Sequence, residues 1–207
     1  MLLKLRQDLE GDVRFDNLTK TIYATDASVY RKIPLGAAFP KTVDDIKTIV
    51  RFANNENIGL IPRTAGTSLA GQCVGDGLVV DVSKHFTKII SVDEVNKQVT
   101  LQPGVIRDEL NQYLKPYGLF FGPNTSTSNR CMVGGMVGNN SSGTTSIQYG
   151  VTRDKIISMK TILSDGSEAE FGRISAEDFK KKQNGITLES SLYNNIYKEL
   201  VNKEIAK

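Results

Sequence analysis

The chain has 207 residues, 39% of them hydrophobic and 24% charged, enough apolar material for one globular domain or one domain of two small lobes. A net charge of +3, from 26 Lys and Arg against 23 Asp and Glu, is too small and too evenly spread for a nucleic-acid-binding surface. Cys73 and Cys131 lie far apart and His85 is the single histidine, which argues against a zinc site and fits reduced thiols in a cytoplasmic protein.

The N-terminus "MLLKLRQDLEGD" is charged throughout and has no apolar signal-peptide core, and no stretch is long and apolar enough to span a bilayer. Residues 2–10 read as a short helix. Residues 16–40 show little periodicity and read as irregular, partly extended chain. A helix follows over 41–59. Thr42 and Asp45 resemble a capping box with Asp in place of Glu, and Val43, Ile46, Ile49, Val50 and Ala53 share one face. Gly59 stands where a C-cap is expected.

Four Val- and Ile-rich strands are predicted next: "GLIPR" (59–63), "GLVVDVS" (77–83), "KIISVD" (88–93) and "QVTLQPG" (98–104). Residues 105–118 form a helix with Ile106, Leu110 and Leu114 at four-residue spacing, stopped by "KPYG". "LFFGP" (119–123) is expected to add a short strand. Together these elements predict a compact α+β lobe over about 35–121.

Composition changes at residue 122. The stretch 122–150 holds six Gly, many Ser, Thr and Asn, and no acidic residue. A disordered linker has this composition, but "CMVGGMV" places apolar residues on both sides of a Gly pair, which argues against a free linker. Residues 154–172 read as a hairpin turning at "SDG". From residue 174 the chain reads as helical, with "KKK" (180–182) as a solvated face and Leu192, Ile196 and Leu200 on one side. No solenoid repeat is present.

Two stretches, "PRTAGTSLAG" (62–71) and the one from 122, share a character. Each follows an ordered apolar segment, and neither contains a carboxylate. Small residues let a ligand approach the backbone, and successive free N–H groups make concavities for phosphate oxygens. The hydroxyls of Thr64, Thr67, Ser68, Ser141 and Ser142 can add hydrogen bonds. One reading is therefore a long anionic ligand such as a dinucleotide held by both stretches. The other is a set of tight turns built from ordinary turn residues. Neither a Rossmann fingerprint nor a Walker A pattern fits, because "QCVGDG" breaks any helix after "GTSLAG" and no Lys follows the last Gly.

"TDASVY", "FPKTVDDIKTIVRFANNENIGLIPRTAGTSLAG", "LVVDVSK", "VTLQPGV", "GPNTSTSNRCMVGGMVGNNSSGTTSIQYGVTRDKI" and "ILSDG" occur in this order over roughly residues 23–172. Together they resemble the FAD-binding PCMH-type domain of the vanillyl-alcohol-oxidase superfamily. The resemblance is strongest to the FAD-linked D-lactate dehydrogenase and glycolate oxidase flavin-subunit group. It implies an α+β, two-lobed FAD-binding domain, incomplete at its C-terminus. Residues 1–34 would be an N-terminal helix and extended segment, 35–121 a first FAD-binding lobe and 122–207 a truncated second lobe.

The resemblance also assigns positions. Pro62, Arg63, Thr64, Ala65, Gly66, Thr67 and Ser68 would wrap the FAD diphosphate, with Gly104 ending a strand nearby. Pro123, Thr125 and Ser126, with Gly134, Gly135, Gly138, Asn139, Ser142 and Gly143, would line the diphosphate and the ribityl and isoalloxazine side. Tyr149 and Gly150 would begin a run along the adenosine, bringing Ile156 and Ile157 close to the adenine. Some relatives attach FAD covalently through a His in the first loop. The matching position is Thr67, so the expected FAD is non-covalent, and Cys131 reads as a packed or half-exposed thiol rather than a flavin thioether.

The implied reaction is oxidation of a small 2-hydroxy acid of the D-lactate or glycolate type, with hydride passing from C2 to flavin N5 and a base taking the hydroxyl proton. A histidine base and an arginine for the substrate carboxylate are wanted. His85 stands beside a strand end as an ordinary turn histidine, and Arg63, Arg130 and Arg153 can face phosphate or a lobe interface. The catalytic groups are expected beyond residue 207, with the chain a truncated piece that does not turn over alone. The electron acceptor is open, and the expected location is cytoplasmic, with peripheral attachment at the inner membrane as a variant. Three rivals stand beside this reading: a UDP-N-acetylenolpyruvoylglucosamine reductase-like domain, a non-catalytic flavin-binding module of an electron-transfer complex, and a structural domain without ligand.

Overall fold

A computed structural model describes residues 1–204. Two compact units divide the chain, Met1–Ile156 and the part from Ile157 onward.

The first unit is built on a four-stranded sheet. Its elements begin with helix α1 (Leu2–Gln7), strand β1 (Asp12–Arg14), helix α2 (Asn17–Ile22), strand β2 (Gly36–Phe39) and helix α3 (Val43–Glu56). Strands β3 (Leu60–Arg63) and β4 (Leu78–Asp81) follow, and the sheet order is β1-β2-β4-β3. β1 runs antiparallel to β2, whereas β2 and β3 both run parallel to β4. Leu78 is thus paired with Gly36 on one side and with Leu60 on the other.

Both faces of the sheet are covered, as a parallel sheet requires. Ala38, Leu78 and Val80 turn to one face and pack with Leu5, Val13 and Ile49. Ala37, Phe39 and Val79 turn to the other, against Tyr23 and Ile61. Every residue of β2 and β4 is buried. Burying side chains such as Ile49 and Leu78 contributes roughly 2–3 kcal/mol each.

α3 starts as its sequence predicts. The Thr42 side chain accepts from the Asp45 N–H at 3.1 Å, and the Asp45 carboxylate answers the Thr42 N–H. The same carboxylate also accepts from Lys41 at 2.7 Å and from Glu10 and Gly11 at 2.9 and 3.0 Å. Asp in place of Glu is explained by this: the shorter side chain stays buried and serves two chain segments. The C-cap differs from the expectation. Asn57, with φ 54 and ψ 45, ends the helix in the left-handed region. Gly59 instead enters β3, where its carbonyl accepts the Leu78 N–H and Gly77 lies directly against it.

Residues 16–40 are more ordered than their composition suggests. Asp16 caps α2 by accepting from the Thr19 N–H, and Leu35 to Phe39 contain β2. The hairpin of β5 (Ile89–Asp93) and β6 (Gln98–Leu101) leads into α4 (Arg107–Leu114), which tightens into a 3₁₀ turn at Lys115–Tyr117 and stops at Gly118 with φ 66. The strand expected at 119–123 does not form. Phe121 gives its N–H to the Asn111 side chain at 2.6 Å, and its carbonyl accepts from Asn111 and Arg107, so α4 takes the bonds that a strand partner would need. The glycine-rich stretch contains helix α5 (Val133–Asn139) and the single turn α6 (Ser146–Tyr149). Val133 packs with Val105, Leu110 and Leu114, and an isolated bridge joins Ile106 to Met132. Residues on either side of position 122 therefore share one core.

The second unit begins with the predicted hairpin, β7 (Ser158–Ile162) paired with β8 (Glu168–Gly172). Gly166, at φ 79, allows its turn. Helices α7 (Ala176–Gln183) and α8 (Leu188–Glu204) follow. The predicted apolar side of α8 is not its buried side: Ile196 and Leu200 are 52% and 58% exposed. The anchor is Tyr193, whose ring meets Phe179 edge-on at 5.2 Å, with Lys182 above it and bonded to Glu189. No helix among the described residues is long and apolar enough to cross a membrane.

Candidate functional site

Parallel strands deliver their loops to one edge, and the carboxyl end of such a sheet is where open α/β folds bind ligands. β3 and β4 end there in Arg63 and Asp81, which are register partners. Residues 64–72 leave β3 as an open loop, half-buried to Ser68, with Leu69 78% exposed. Among the described residues, the backbone N–H groups of 64–68 donate to no atom of the chain. Gly66 takes φ 66, a left-handed conformation that glycine adopts at least cost.

The second glycine stretch is brought to the first. A Cβ on Gly135 would stand 2.6 Å from Thr64 Oγ1, so the start of α5 touches the 64–68 loop. A Cβ on Gly134 would stand 2.4 Å from Pro103 Cβ, and the Gly134 N–H donates to the Pro103 carbonyl at 2.8 Å. The buried Gly104 donates to the Phe86 carbonyl at 2.7 Å and holds that turn in place. A side-chain relay closes the other end. Ser68 Oγ donates to Gln72, Gln72 donates to Asn139 at 2.8 Å, and Asn139 donates to Ser141.

Residues 122–128 are held from beneath by α4. Arg107 donates to the carbonyls of Pro123 and Phe121, and Ser128 donates to Asp108 at 2.9 Å. The Arg107 guanidinium beside Asp108 holds that carboxyl below the usual carboxylate range. Thr125 Oγ1 lies 3.2 Å from the buried Cys131 thiol, and Ser126 is exposed. The next turn presses against this segment: a Cβ on Gly143 would stand 1.6 Å from the Asn124 carbonyl oxygen, while Ser142 stays exposed. Thr145 donates to the Gly122 carbonyl, and Thr152, fully buried, donates to the Ser141 carbonyl at 2.6 Å. Asn124 Oδ1 is buried without a hydrogen-bond partner.

The remaining predicted positions separate from this cluster by degrees. Tyr149 covers Gly122 and meets Phe120 edge-on at 5.1 Å, and Gly150 turns at φ 75 beside Asp154. Gly138 faces open space, and Pro62 is exposed on β3. Ile156 closes the first unit half-buried, whereas Ile157, the first residue of the second, is 59% exposed. Arg130 and Arg153 are exposed, and His85 sits half-buried in the turn after β4.

Gln72, Arg107, Asp108, Asn111 and Thr152 carry no glycine-loop signature, and sequence reasoning passed over them as site residues. Arg107, Asp108 and Asn111 are polar positions of α4 beside its Leu110 and Leu114 side, whereas Gln72 and Thr152 stand in loop and turn segments with no signal of their own. The assembled geometry fits a phosphate-bearing group: N–H donors unpaired among the described residues, glycines at close approach, and no carboxylate in either glycine stretch. These features make it a cradle.

The comparisons with known proteins agree with the motif resemblance. A family model described as "FAD binding domain" matches residues 34–172. The D-2-hydroxyglutarate dehydrogenase of Haemophilus influenzae is 37% identical over 188 residues, covering 89% of this chain and 18% of that protein. The glycolate oxidase subunit GlcD of Bacillus subtilis is 32% identical over 174 residues, covering 82% of this chain and 37% of that one. Among solved structures, the xylooligosaccharide oxidase of Myceliophthora thermophila C1 superposes with TM-score 0.72 at 23% identity, over 86% of this chain and 38% of that chain, a likeness of fold. The chain spans about a fifth of the length of the Haemophilus protein.

Proposed function

This chain belongs to the FAD-binding-domain family, and from that premise we propose that its two glycine and hydroxyl stretches form the diphosphate cradle of FAD in a 2-hydroxy-acid oxidoreductase. The carrying observation is the run of five successive N–H groups over 64–68 that are unpaired among the described residues, with Gly135 against Thr64 at the start of the run. Residues 35–121 supply one wall of the cofactor site, and the stretch that begins at 122 supplies the other. When bound, FAD supplies a hydride acceptor, so an alcohol carbon can be oxidised without a metal.

The chain's own residues bind and orient. The 64–68 N–H groups would donate to phosphate oxygens, and the absence of a side chain at Gly135 lets α5 close on the Thr64 end of that loop. The hydroxyls of Thr64, Thr67 and Ser68 extend the donor set. Arg107 and Asn111 keep the 121–128 segment fixed, and Asn124 Oδ1 offers an acceptor to the ribityl hydroxyls. Thr67 has no imidazole with which to tether the flavin, so the cofactor is held without a covalent bond.

The substrate class follows from relatives named D-2-hydroxyglutarate dehydrogenase and glycolate oxidase subunit. A small 2-hydroxy acid is oxidised to the 2-oxo acid by the whole protein. The test is direct. The full-length protein, purified and titrated with FAD, is expected to take up one flavin per chain and to reduce an acceptor dye with D-2-hydroxyglutarate, D-lactate or glycolate. A protein that takes up no flavin overturns the proposal.

A further inference from the structure

Arg63 looks at first like a phosphate ligand, since it opens the loop that faces the diphosphate. Its surroundings say otherwise. Nη1 donates to the Thr25 carbonyl at 2.8 Å. The guanidinium carbon stands 5.1 Å from the centroid of the Tyr23 ring, a cation–π geometry. That ring is itself fixed, because Tyr23 donates its hydroxyl to Asp81 at 2.6 Å and meets Phe39 edge-on at 5.8 Å. On the loop side, a Cβ on Gly66 would stand 2.4 Å from Nη2, 2.8 Å from the guanidinium carbon and 3.0 Å from Nε. The planar group therefore lies against the Gly66 backbone.

We propose that Arg63 is a positioning residue: its guanidinium is a peg, seated on Thr25 and Tyr23, over which residues 64–66 bend so that their N–H groups stay free for the cofactor. The inference rests on the assignment of the 64–68 loop to FAD and adds the device that shapes it. Three chain segments meet at the peg: the 23–25 strip, the end of β3 and the loop. Gly66 is glycine for two independent reasons. Its φ of 66 disfavours any side chain, and the peg occupies the space a Cβ would take. The positive charge is retained near the cradle, yet the chemistry demanded of the residue is a flat five-donor fork that can stack, which lysine cannot replace.

FAD affinity of the full-length protein, read by flavin fluorescence, tests this. Arg63→Met is expected to weaken FAD binding at least tenfold, and Arg63→Lys to weaken it as much, because a point charge cannot stack. Gly66→Ala is expected to weaken binding comparably in the wild-type background and by a smaller factor in the Arg63→Met background, since the clashing partner is gone. Melting curves of each variant separate loop effects from unfolding. Should the Arg63 variants fail to fold, Gly66→Ala carries the test alone, and unchanged affinity in it overturns the peg. Arg63→Lys with wild-type affinity beside a weakened Arg63→Met would identify a direct charge contact and also overturn it. A wild-type protein that takes up no FAD removes the cofactor assignment, and the peg falls with it.

Discussion

The sheet and the glycine loops of the first unit solve opposite problems. β2 and β4 are buried along their whole length, and each has a paired strand on both sides. No residue of the 64–72 loop is buried, and the 122–128 segment buries only Gly122 and Pro123; Arg107, Asn111 and Thr145 hold the backbone of 121–123 by hydrogen bonds, and Ser68 accepts from Ala70 and Gln72 within the first loop. Apolar packing fixes the first region, directional polar contacts the second. Packing resists change in volume; the polar scaffold leaves N–H groups unspent. Substitutions should therefore damage stability in one region and affinity in the other.

The sharpest test is Leu78→Ala. A fully buried residue paired on both sides is removed, and unfolding stability should fall by about 3–4 kcal/mol in chemical denaturation. FAD affinity of the folded fraction should hold. Asp45→Ala comes next, at about 2–3 kcal/mol, since it strands several N–H groups that share one buried carboxylate. Gly143→Ala should reverse the pattern. Its Cβ cannot coexist with the Asn124 carbonyl, so the loop must shift, and FAD affinity should drop about ten- to hundredfold, or about 1.4–2.7 kcal/mol. Its melting temperature should move little.

The smallest effect concerns Asp108. Its folded pKa lies below the unfolded value, first through the hydrogen bond from Arg107. The contribution is therefore present above about pH 3.9, the unfolded value, and is lost as pH falls through the lower folded value. Asp108→Asn should flatten that acid limb by under about 1 kcal/mol, because its side chain is 41% exposed and solvent screens the pair. A larger change would mean that polar contacts stabilise the loops as strongly as packing stabilises the sheet.

What was legible in the sequence follows the same divide. The start of α3, the Val- and Ile-rich strands and the 158–172 hairpin announce themselves through local pattern, since packing selects apolar periodicity. α2 was missed because six residues with one buried side chain, Thr19, leave no stripe to read. α5 was hidden by three glycines in seven residues, each costing about 1 kcal/mol of helix propensity. Val133 and Met136, buried by tertiary contact, override that cost. The two glycine stretches were visible as candidates, but Gln72, Arg107 and Asn111 were not, because a polar residue on a helix or loop looks the same whether it faces water or props a neighbouring backbone.

One consequence lies in the order of assembly. The turn at Glu10 and Gly11 is stitched by a carboxylate 35 and 34 positions later in the chain. The N–H groups of that turn therefore have no carboxylate acceptor until the start of α3 has emerged. The amide hydrogens of Glu10 and Gly11 should become protected from exchange together with those of α3, and not before.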